Sequence, residues 1–374
     1  MKERLLKLFL VSPFLSVTLL EALVLVLLAY WALFERKTRG LLREGILLYA
    51  FSTLVSTALH APKMLPRAFE EGAFQLVYFL ELSYGQALRL YGFFTKTLYF
   101  FFFVLTAVGL WRYAREGQLK PLWGGSFEAG YFFALFSSAF VVLALSERGL
   151  RRYLFLLGSV FSFAMVLLST RRSVLLALLV LLALLTVKAV KEGLVSKKAV
   201  VAALAVGFAL TALAYAQLVK TDYRFKAFHE LVTGRAPLSE ETLNRISSQR
   251  YRLFKEGLEL LKRDLKEGRV LNLLFGHGVL ARQRYEGGPP RRYESVFLLT
   301  ELVERGLLGL LGILIVYFRY WRFFLRLKLK EKEAVVTALP LGLHLGQTVF
   351  TFFWDAMLPY FLVLFKASER LARR

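Results

Sequence analysis

The chain contains no cysteine among its 374 residues and only four histidines. The absence of cysteine excludes disulfide bonds, thiolate nucleophiles and cysteine-ligated metals. The long polar segment of the chain also lacks a nucleotide-binding glycine loop, an HExxH sequence and a DxD-like acidic cluster. Without these features a nucleotide-sugar donor held by a divalent metal has no visible binding residues. The sequence therefore predicts a protein that works without a metal or another cofactor.

Hydrophobic residues make up 57% of the chain, and the mean hydropathy is +0.53. Both values lie far above those of a soluble domain. Runs that approach the roughly 20 residues needed to cross a bilayer occupy residues 8–34, 43–60, 72–91, 93–111, 128–146, 150–169, 173–189, 198–217, 296–318, 334–352 and 354–368. The sequence therefore predicts an all-α, polytopic transmembrane helical bundle with about eleven crossings. The run at 8–34 stands out because both of its ends are basic.

Basic residues give the chain a net charge of +23 and favour one orientation in the membrane. Nucleic acid is not the expected partner, because the basic clusters lie at helix ends, where they act as topology signals and contact anionic membrane lipids. If the later runs alternate, the clusters at 148–152, 188–198, 319–332 and 370–374 fall on one side. The positive-inside rule makes that side, and the C-terminus with it, cytoplasmic.

The one large polar interval, residues 218–294, lies between hydrophobic runs and holds sixteen Lys and Arg against ten Asp and Glu. We interpret the chain as a single membrane domain, 1–374, with this interval inserted as a helical loop on the outer side. Its positive charge is no objection, because long loops cross membranes largely regardless of charge. Within it, Ser239 followed by Glu240 and Glu241 predicts a helix start.

Arg171 and Arg172 also fall on the outer side, in a short loop where the positive-inside rule disfavours arginine. They precede a hydrophobic helix, and a cation is unfavourable at that end of the helix dipole. The free amides of the helix and the two guanidinium groups would together form an anion site. The alternative is that both side chains snorkel to lipid phosphates.

Arg250 begins a pattern in which residues 250, 254, 257, 258, 261 and 265 share one face of an amphipathic helix. Every member of this set except Arg250 is apolar or glycine. We therefore expect its charge to point along the membrane surface. The other basic residues of this helix, Arg252 among them, are read as a solvated or lipid-facing fringe, with substrate contact as the alternative for Arg252.

Two residues could accept a proton from a substrate. His277 lies in a turn between two glycines, and histidine has a reference pKa near 6.5; alternatively, the turn is structural or contacts substrate. Glu294 lies beside Tyr293 at the membrane surface, where partial desolvation would raise the proton affinity of a carboxylate. The alternative for Glu294 is an ion pair with Arg291 or Arg292.

Taken in order, these segments resemble the O-antigen ligase/polymerase superfamily of bacterial envelope glycosyltransferases. Thr170–Leu175 is similar to the Ser-Arg-Gly-Ala-Leu stretch of that family and places Arg172 on its arginine. Ser248–Phe254 is similar to a segment with an arginine four residues before an aromatic, and Phe275–Gly278 to the Gly-x-Gly turn that follows it. Ser295–Gly309 resembles the ligase pattern His-Asn-x9-Gly-x-x-Gly.

The chain departs from the ligase pattern at Ser295, where ligases carry histidine. An acidic residue and a serine before a glycine-punctuated helix are more similar to Wzy-type polymerases. The resemblance implies that a glycan on undecaprenyl pyrophosphate, at the outer face of the bacterial inner membrane, is transferred to a second lipid-linked oligosaccharide repeat unit. It also suggests a chain-length regulator protein as a partner.

The same resemblance implies roles for the residues above. Arg172 and Arg250 would stabilise the leaving pyrophosphate, and Glu294 or His277 would accept the proton. The implied substrate contacts are Arg171, Arg252, Gly276, Gly278, Tyr293 and Ser295.

Two other functions stay open. A ligase would transfer the finished glycan to lipid A-core or to protein, and Ser295 counts against it. A transporter or flippase would bind the lipid-linked glycan without chemistry, but such proteins usually show internal repeats or charges spread over several crossings. Here the charges are concentrated at one face and in one loop.

Overall fold

The computed structural model describes residues 1–196, 222–281, 296–349 and 355–372, together with isolated positions between 197 and 221. The helices are α1 (Lys2–Leu15), α2 (Val17–Tyr30, extended by a π-helical turn, Trp31–Glu35), α3 (Arg43–His60), α4 (Leu65–Gly72), α5 (Tyr84–Glu116), α6 (Ser126–Ser146), α7 (Gly149–Leu168), α8 (Arg172–Lys191), α9 (Tyr223–Val232), α10 (Glu240–Ser247), α11 (Arg250–Lys266), α12 (Val270–Phe275), α13 (Phe297–Arg326), α14 (Lys332–Thr348) and α15 (Leu358–Leu371). Short 3-10 segments flank α4 at Pro62–Met64 and Ala73–Phe79, and another precedes α15 at Asp355–Met357. For the described residues the predicted all-α class is confirmed.

Within the described ranges, five helices are long and apolar enough to cross a membrane. They are Val17–Glu35, Tyr84–Glu116, Ser126–Ser146, Gly149–Leu168 and Arg172–Lys191. The outer face of α7 leaves large apolar side chains such as Leu150, Leu157 and Val160 exposed. A continuous apolar surface of this kind is favourable against lipid and not against water. The protein is therefore embedded in a membrane, as predicted.

The centre of the bundle is formed by α6, α14 and α15. The last two have 17 and 14 residues, fewer than the roughly 20 of a full crossing. Nearly all of their side chains are buried between other helices. Tyr131 of α6 donates a hydrogen bond to the carbonyl of Pro340 at 2.6 Å, and the rings of His344 and Phe361 are 5.0 Å apart. These short helices are thus covered by protein along their length.

The run predicted as one crossing at 8–34 folds as two helices, α1 and α2. Ser16 between them is extended, with φ −167° and ψ 137°, and its side chain accepts a hydrogen bond from the Leu19 amide. An ion pair between Lys2 and Glu35 joins the far ends of the two helices. The run is therefore two helices and not one, and the hairpin brings its two basic ends to the same side.

A second boundary was also predicted wrongly. The runs 72–91 and 93–111 become a short 3-10 stretch and the single 33-residue helix α5. Ser83 begins α5 with a capping box, in which the Gln86 side chain accepts a hydrogen bond from the Ser83 amide at 2.9 Å. Gly92, which separates the two runs, lies inside α5 because one glycine costs a helix only about 1 kcal/mol.

The ends of α6, α8 and α13 and the start of α14 meet at one end of the bundle, here called the basic end. The Glu192 carboxylate accepts a hydrogen bond from the Leu329 amide at 2.9 Å, and Lys332 pairs with Glu147 at 3.4 Å. These contacts bring together three of the basic clusters that the sequence assigns to one side, 148–152, 188–196 and 319–332.

The opposite end of the bundle, the polar end, carries α9 to α12. Arg172, at the other end of α8 from Glu192, donates a hydrogen bond to the carbonyl of Ile246 in α10 at 3.2 Å. The amide of Gly278 after α12 donates to the hydroxyl of Ser56 in α3 at 2.6 Å. The described part of the predicted polar insertion is therefore helical and packs on the membrane helices.

Helix α13 is kinked at Gly306, with φ 65° and ψ −169°. A side chain at this position would be strained and would overlap the backbone of Leu274. Two turns further, a Cβ on Gly312 would lie 2.8 Å from the carbonyl oxygen of Gly45 in α3. Gly306 of the ligase-like pattern thus allows a kink, and Gly312, which lies beyond that pattern, allows a close crossing of two helices.

Candidate functional site

A cleft of about 680 Å³ lies at the polar end, between the start of α6, the α7–α8 turn, α9 and the α10–α11 junction. Arg171, Arg172, Arg224 and Arg250 line it, and among the described residues Glu128 is the one acidic residue in its wall. Four arginines against one glutamate give this arginine cleft a net charge of +3. An anion is the ligand that such a surface favours.

Arg171 and Arg172 enter the arginine cleft from a tight turn. Helix α7 ends at Leu168, Thr170 adopts a left-handed backbone with φ 56°, and α8 begins at Arg172 without a side-chain cap on its first amides. The hydrogen bond from Arg172 to Ile246 ties this turn to α10. Its guanidinium also lies 5.3 Å from the centre of the Phe225 ring. Arg172 is therefore held by the polar helices and not directed only to lipid.

Arg250 is the first residue of α11, as its sequence pattern predicts. The chain reverses into this helix through Ser248 and Gln249, both in the left-handed region at φ 56° and 67°. The hydroxyl of Ser247 accepts a hydrogen bond from the Tyr251 amide at 3.1 Å. The Ser239 helix start, predicted for α10, is confirmed by its hydrogen bond from the Thr242 amide at 3.2 Å.

Arg224 is a cleft residue that the sequence reasoning missed. It lies in the first turn of α9, where the carboxylate of Asp222 caps the helix and accepts a hydrogen bond from the Arg224 guanidinium at 2.9 Å. Burial alone would raise the pKa of Asp222, but the hydrogen bonds from Arg224 lower it. The same pairing raises the pKa of Arg224. The sequence feature that could have indicated Arg224 is its position, just beyond the run at 198–217 and on the same predicted side of the membrane as Arg172.

Glu128 is the second missed residue of the arginine cleft. Its carboxylate accepts a hydrogen bond from the Gly125 amide at 2.7 Å and so caps the start of α6. Because it is engaged with that helix end, the acidic group is held against one wall. The centre of the cleft is left to the arginines.

The turn Phe275–Gly278 does not line the arginine cleft. His277 is fully buried, with Nε2 2.6 Å from a carboxylate oxygen of Asp264 and its amide donating to the Val303 carbonyl at 2.8 Å. A side chain on Gly276 would overlap the backbone of Glu304 beside the α13 kink. The turn therefore has a packing role in this structure. The predicted roles of His277 as a base and of Gly276 and Gly278 as substrate contacts do not apply at the arginine cleft.

The remaining candidates lie elsewhere. Arg252 does not line the arginine cleft and forms an exposed ion pair with Glu256 at 3.2 Å. It therefore fits the predicted solvated fringe better than a substrate contact. Tyr293, Glu294 and Ser295 lie outside the described residues.

The apolar face predicted for α11 is only partly buried. Leu253, Leu261 and Asp264 are buried, whereas Phe254 is 43% exposed and Leu265 is 65% exposed. The carboxylate of Asp264 is drawn inward by His277, a partner that hydrophobic spacing does not reveal.

A second cleft, of about 360 Å³, lies between α11 and the first half of α13. Glu256, Glu259 and Glu304 line it together with Arg263, so this glutamate cleft has a net charge of −2. Apolar side chains of both helices form the rest of its wall. No sequence motif indicated it.

Behind Glu304 lies a buried cluster around Arg305, which is 1% exposed. The guanidinium bonds to Glu71 of α4 and, at 2.6 Å, to Glu301. Glu304 lies 3.3 Å away, and the ring centre of Tyr49 is at 5.0 Å. The cluster thus joins α3, α4 and α13 just before the kink. Three carboxylates surround one guanidinium, an arrangement that the sequence analysis did not anticipate.

Comparison with known proteins assigns the chain to a family but does not assign it an activity. No protein-family model matches it. A protein of Aquifex aeolicus (strain VF5), described as an uncharacterized protein, is 41% identical over 382 aligned positions, which cover 99% of this chain and 97% of that protein. The chain belongs to the same family as this Aquifex protein. The match spans the membrane helices and the polar helices alike, so the two share a whole architecture and not one module.

Proposed function

We propose that this protein is a metal-independent glycosyltransferase of the bacterial inner membrane that polymerises lipid-linked oligosaccharides. Its donor is a repeat unit on undecaprenyl pyrophosphate, and its acceptor is a second lipid-linked unit. The supporting observation is that Arg171, Arg172, Arg224 and Arg250 line one cleft beside the membrane helices. Arginine suits a diphosphate because its planar donors bind phosphate oxygens in pairs.

The proposed reaction needs little covalent help from the protein. A sugar hydroxyl of the acceptor attacks the anomeric carbon of the donor, the bond from that carbon to the pyrophosphate breaks, and the hydroxyl proton passes to a base. Because the donor is already activated, the main task is to stabilise charge on the departing pyrophosphate. The net charge of +3 in the arginine cleft is suited to that task.

The lipid tail of the donor has an apolar path beside the arginine cleft. Leu176 lines the cleft and is 41% exposed. Val180 and Val187 are exposed further along α8, and their spacing puts all three on one helix face. A polyprenyl chain along this face would leave its pyrophosphate near Arg172.

The proposed orientation follows from charge. With the basic end in the cytoplasm, as the positive-inside rule requires, the arginine cleft and α9 to α12 face the periplasm. Lys366, near the end of α15, donates a hydrogen bond to the carbonyl of Arg39. Arg39 lies between α2 and α3, on the same side as the Lys2–Glu35 pair. The C-terminus is therefore cytoplasmic in this proposal.

The proposal is tested with purified protein in lipid nanodiscs and a lipid-linked oligosaccharide. We expect a ladder of longer glycans from the wild type, and its loss in Arg172→Ala and in Arg250→Ala. Arg269→Ala is the matched control, because Arg269 is exposed, pairs with Glu267 and lines neither cleft.

The alternatives predict other products in the same assay. A single transfer to added lipid A-core or protein acceptor would indicate a ligase. Movement of the lipid-linked glycan across the bilayer without a new glycosidic bond would indicate a transporter. A normal ladder from both arginine variants would remove the anion-site argument.

A further inference from the structure

The glutamate cleft shares α11 with the arginine cleft but has the opposite charge. Arg250 opens α11 in the arginine cleft, and Leu253 lines the glutamate cleft one turn later. Gly257 packs against Leu299 of α13, seven residues or about 10 Å along the helix axis from Arg250. This separation is on the scale of a sugar joined to a diphosphate. Two parts of one reacting complex can therefore occupy the two clefts together.

The charge of the glutamate cleft selects its occupant. The lining of this cleft carries a net charge of −2 against +3 for the arginine cleft, and Glu256 and Glu304 are also paired with Arg252 and Arg305. The diphosphate is therefore favoured in the arginine cleft and not here. Carboxylates accept hydrogen bonds from hydroxyl groups, and Leu253, Leu260 and Val303 add apolar surface beside them. The chemistry favours an uncharged ligand rich in hydroxyl groups, which is the description of a glycan.

Glu304 is the residue of this cleft that is fixed in place. Its carbonyl accepts hydrogen bonds from the Ser56 hydroxyl at 2.6 Å and from the Gly278 amide at 2.9 Å. Its side chain is 11% exposed and lines the cleft. A carboxylate with a rigid backbone and a small exposed surface is a well-oriented acceptor for one proton.

The charged groups around Glu304 include more carboxylates than guanidinium groups. The Arg305 guanidinium faces Glu71, Glu301 and Glu304, and Arg67 of α4 also pairs with Glu71 at 2.7 Å, so three carboxylates share two positive charges. The α3 side chains at the cluster, Tyr49 and Thr53, are neutral. Uncompensated negative charge in a buried site is costly, and neighbouring carboxylates favour uptake of a proton by one of them.

We infer that the glutamate cleft is the acceptor subsite, where Glu304 takes the proton from the attacking sugar hydroxyl. The inference rests on the proposed function. The O–H bond of the acceptor breaks as its oxygen bonds to the anomeric carbon, and the carbon–oxygen bond to the pyrophosphate breaks in the same displacement. The proton goes to the Glu304 carboxylate, and the electron pair of the broken bond leaves with the pyrophosphate bound by the arginines.

The test compares Glu304→Gln with Glu304→Asp in the nanodisc assay at saturating acceptor. Glutamine keeps the shape and the contact with Arg305 but cannot take the proton. We expect kcat to fall about 100-fold, as for loss of a general base, with the Kd of the donor unchanged. Glu304→Asp should recover part of the rate, because a carboxylate is present again. Glu241→Gln is the control, since Glu241 is exposed on α10 and lines neither cleft.

A second variant tests the subsite apart from the proton. Leu260→Trp narrows the glutamate cleft without touching the Arg305 cluster, and it should raise the KM for the acceptor at least tenfold while kcat changes little. A wild-type kcat in Glu304→Gln together with a wild-type KM in Leu260→Trp would overturn the inference. If Arg172→Ala abolishes polymer in the same experiment, the proposed function survives that result. If the wild type itself forms no glycosidic bond, the proposed function fails first.

Discussion

The two clefts beside α11 differ in charge and in how their charged groups are held. In the arginine cleft, with a net charge of +3, the arginines come from three separate segments and stay partly exposed. In the glutamate cleft, with a net charge of −2, Glu304 is backed by a buried cluster. The first arrangement suits a mobile, multiply charged ligand that supplies its own counter-charge. The second suits a single proton transfer at a fixed position.

The comparison also separates two ways of building a site. The arginine cleft depends on helix starts and turns, such as Thr170 and Gln249 in the left-handed region. The glutamate cleft depends on the α13 kink, which lets the backbone of Glu304 accept hydrogen bonds from two other elements. Variants that act on one cleft and spare the other therefore test whether the two are independent.

The largest expected effect is on stability, from Arg305→Ala. The change removes the guanidinium from Glu301 and Glu304 and leaves Glu71 with its Arg67 pair. Breaking a buried pair of this kind costs about 3–5 kcal/mol of unfolding free energy. Thermal unfolding of the detergent-solubilised protein measures the loss. The matched control is Arg319→Ala, which removes a partly exposed pair with Glu44 and should cost at most about 1 kcal/mol. Equal losses in the two variants would mean that the cluster does not stabilise the fold.

The next effect concerns the arginine cleft alone. Arg172→Ala and Arg250→Ala should each lose about 2–4 kcal/mol of transition-state stabilisation, by analogy with loss of an oxyanion donor. If both bind the same pyrophosphate, the double variant loses less than the sum of the single losses. The ratio of kcat/KM values for the four proteins gives this coupling. Strict additivity would place the two arginines on different groups of the substrate.

A smaller effect is expected from Gly306→Ala, which acts on the glutamate cleft through the kink. Alanine would be strained at φ 65° and would overlap Leu274, so we expect a loss of about 1–3 kcal/mol of unfolding free energy. Gly92→Ala is the matched control inside α5, where a Cβ meets no neighbour within 4 Å. It should stabilise by about 0.5–1 kcal/mol. Anion binding to the arginine cleft should persist in both variants, and its loss in Gly306→Ala alone would show that the clefts are coupled.

The smallest effect is predicted for Arg252→Ala. Arg252 is two residues from Arg250, but it is exposed and pairs only along the helix with Glu256. Such a pair contributes about 0.3–0.5 kcal/mol, and no change in donor binding is expected. Isothermal titration with a soluble pyrophosphate distinguishes it from Arg250→Ala. Equal weakening in the two variants would extend the anion site around α11.

Features that depend on neighbouring residues were predicted from the sequence, and features that depend on distant contacts were not. Hydrophobic runs located α3, α6, α7 and α8 closely, and the Ser239 cap of α10 was predicted from three adjacent residues. The hairpin at Ser16 and the continuous α5 were not predicted. A run of apolar residues has the same hydropathy whether it turns halfway or continues, so its length alone does not reveal a turn.

The same limit applies to the two clefts. Arg171 and Arg172 could be singled out because a cation is unfavourable at the start of a helix, and Arg250 because it heads an apolar helix face. Arg224 was missed because its charge is ordinary in a polar segment. His277 was given a chemical role because its burial against Asp264 depends on the packing of α11, α12 and α13, which no local pattern encodes.

The sequence by itself determined that this protein is helical and membrane-embedded, and which ends of its helices are basic. These properties follow from hydropathy and charge, which act over a few residues. Only the tertiary structure decided that the arginines share one cleft and that Arg305 meets Glu71, 234 positions away in the chain. The reason is that a buried charge is stable only beside its partner, and the partner is chosen by packing.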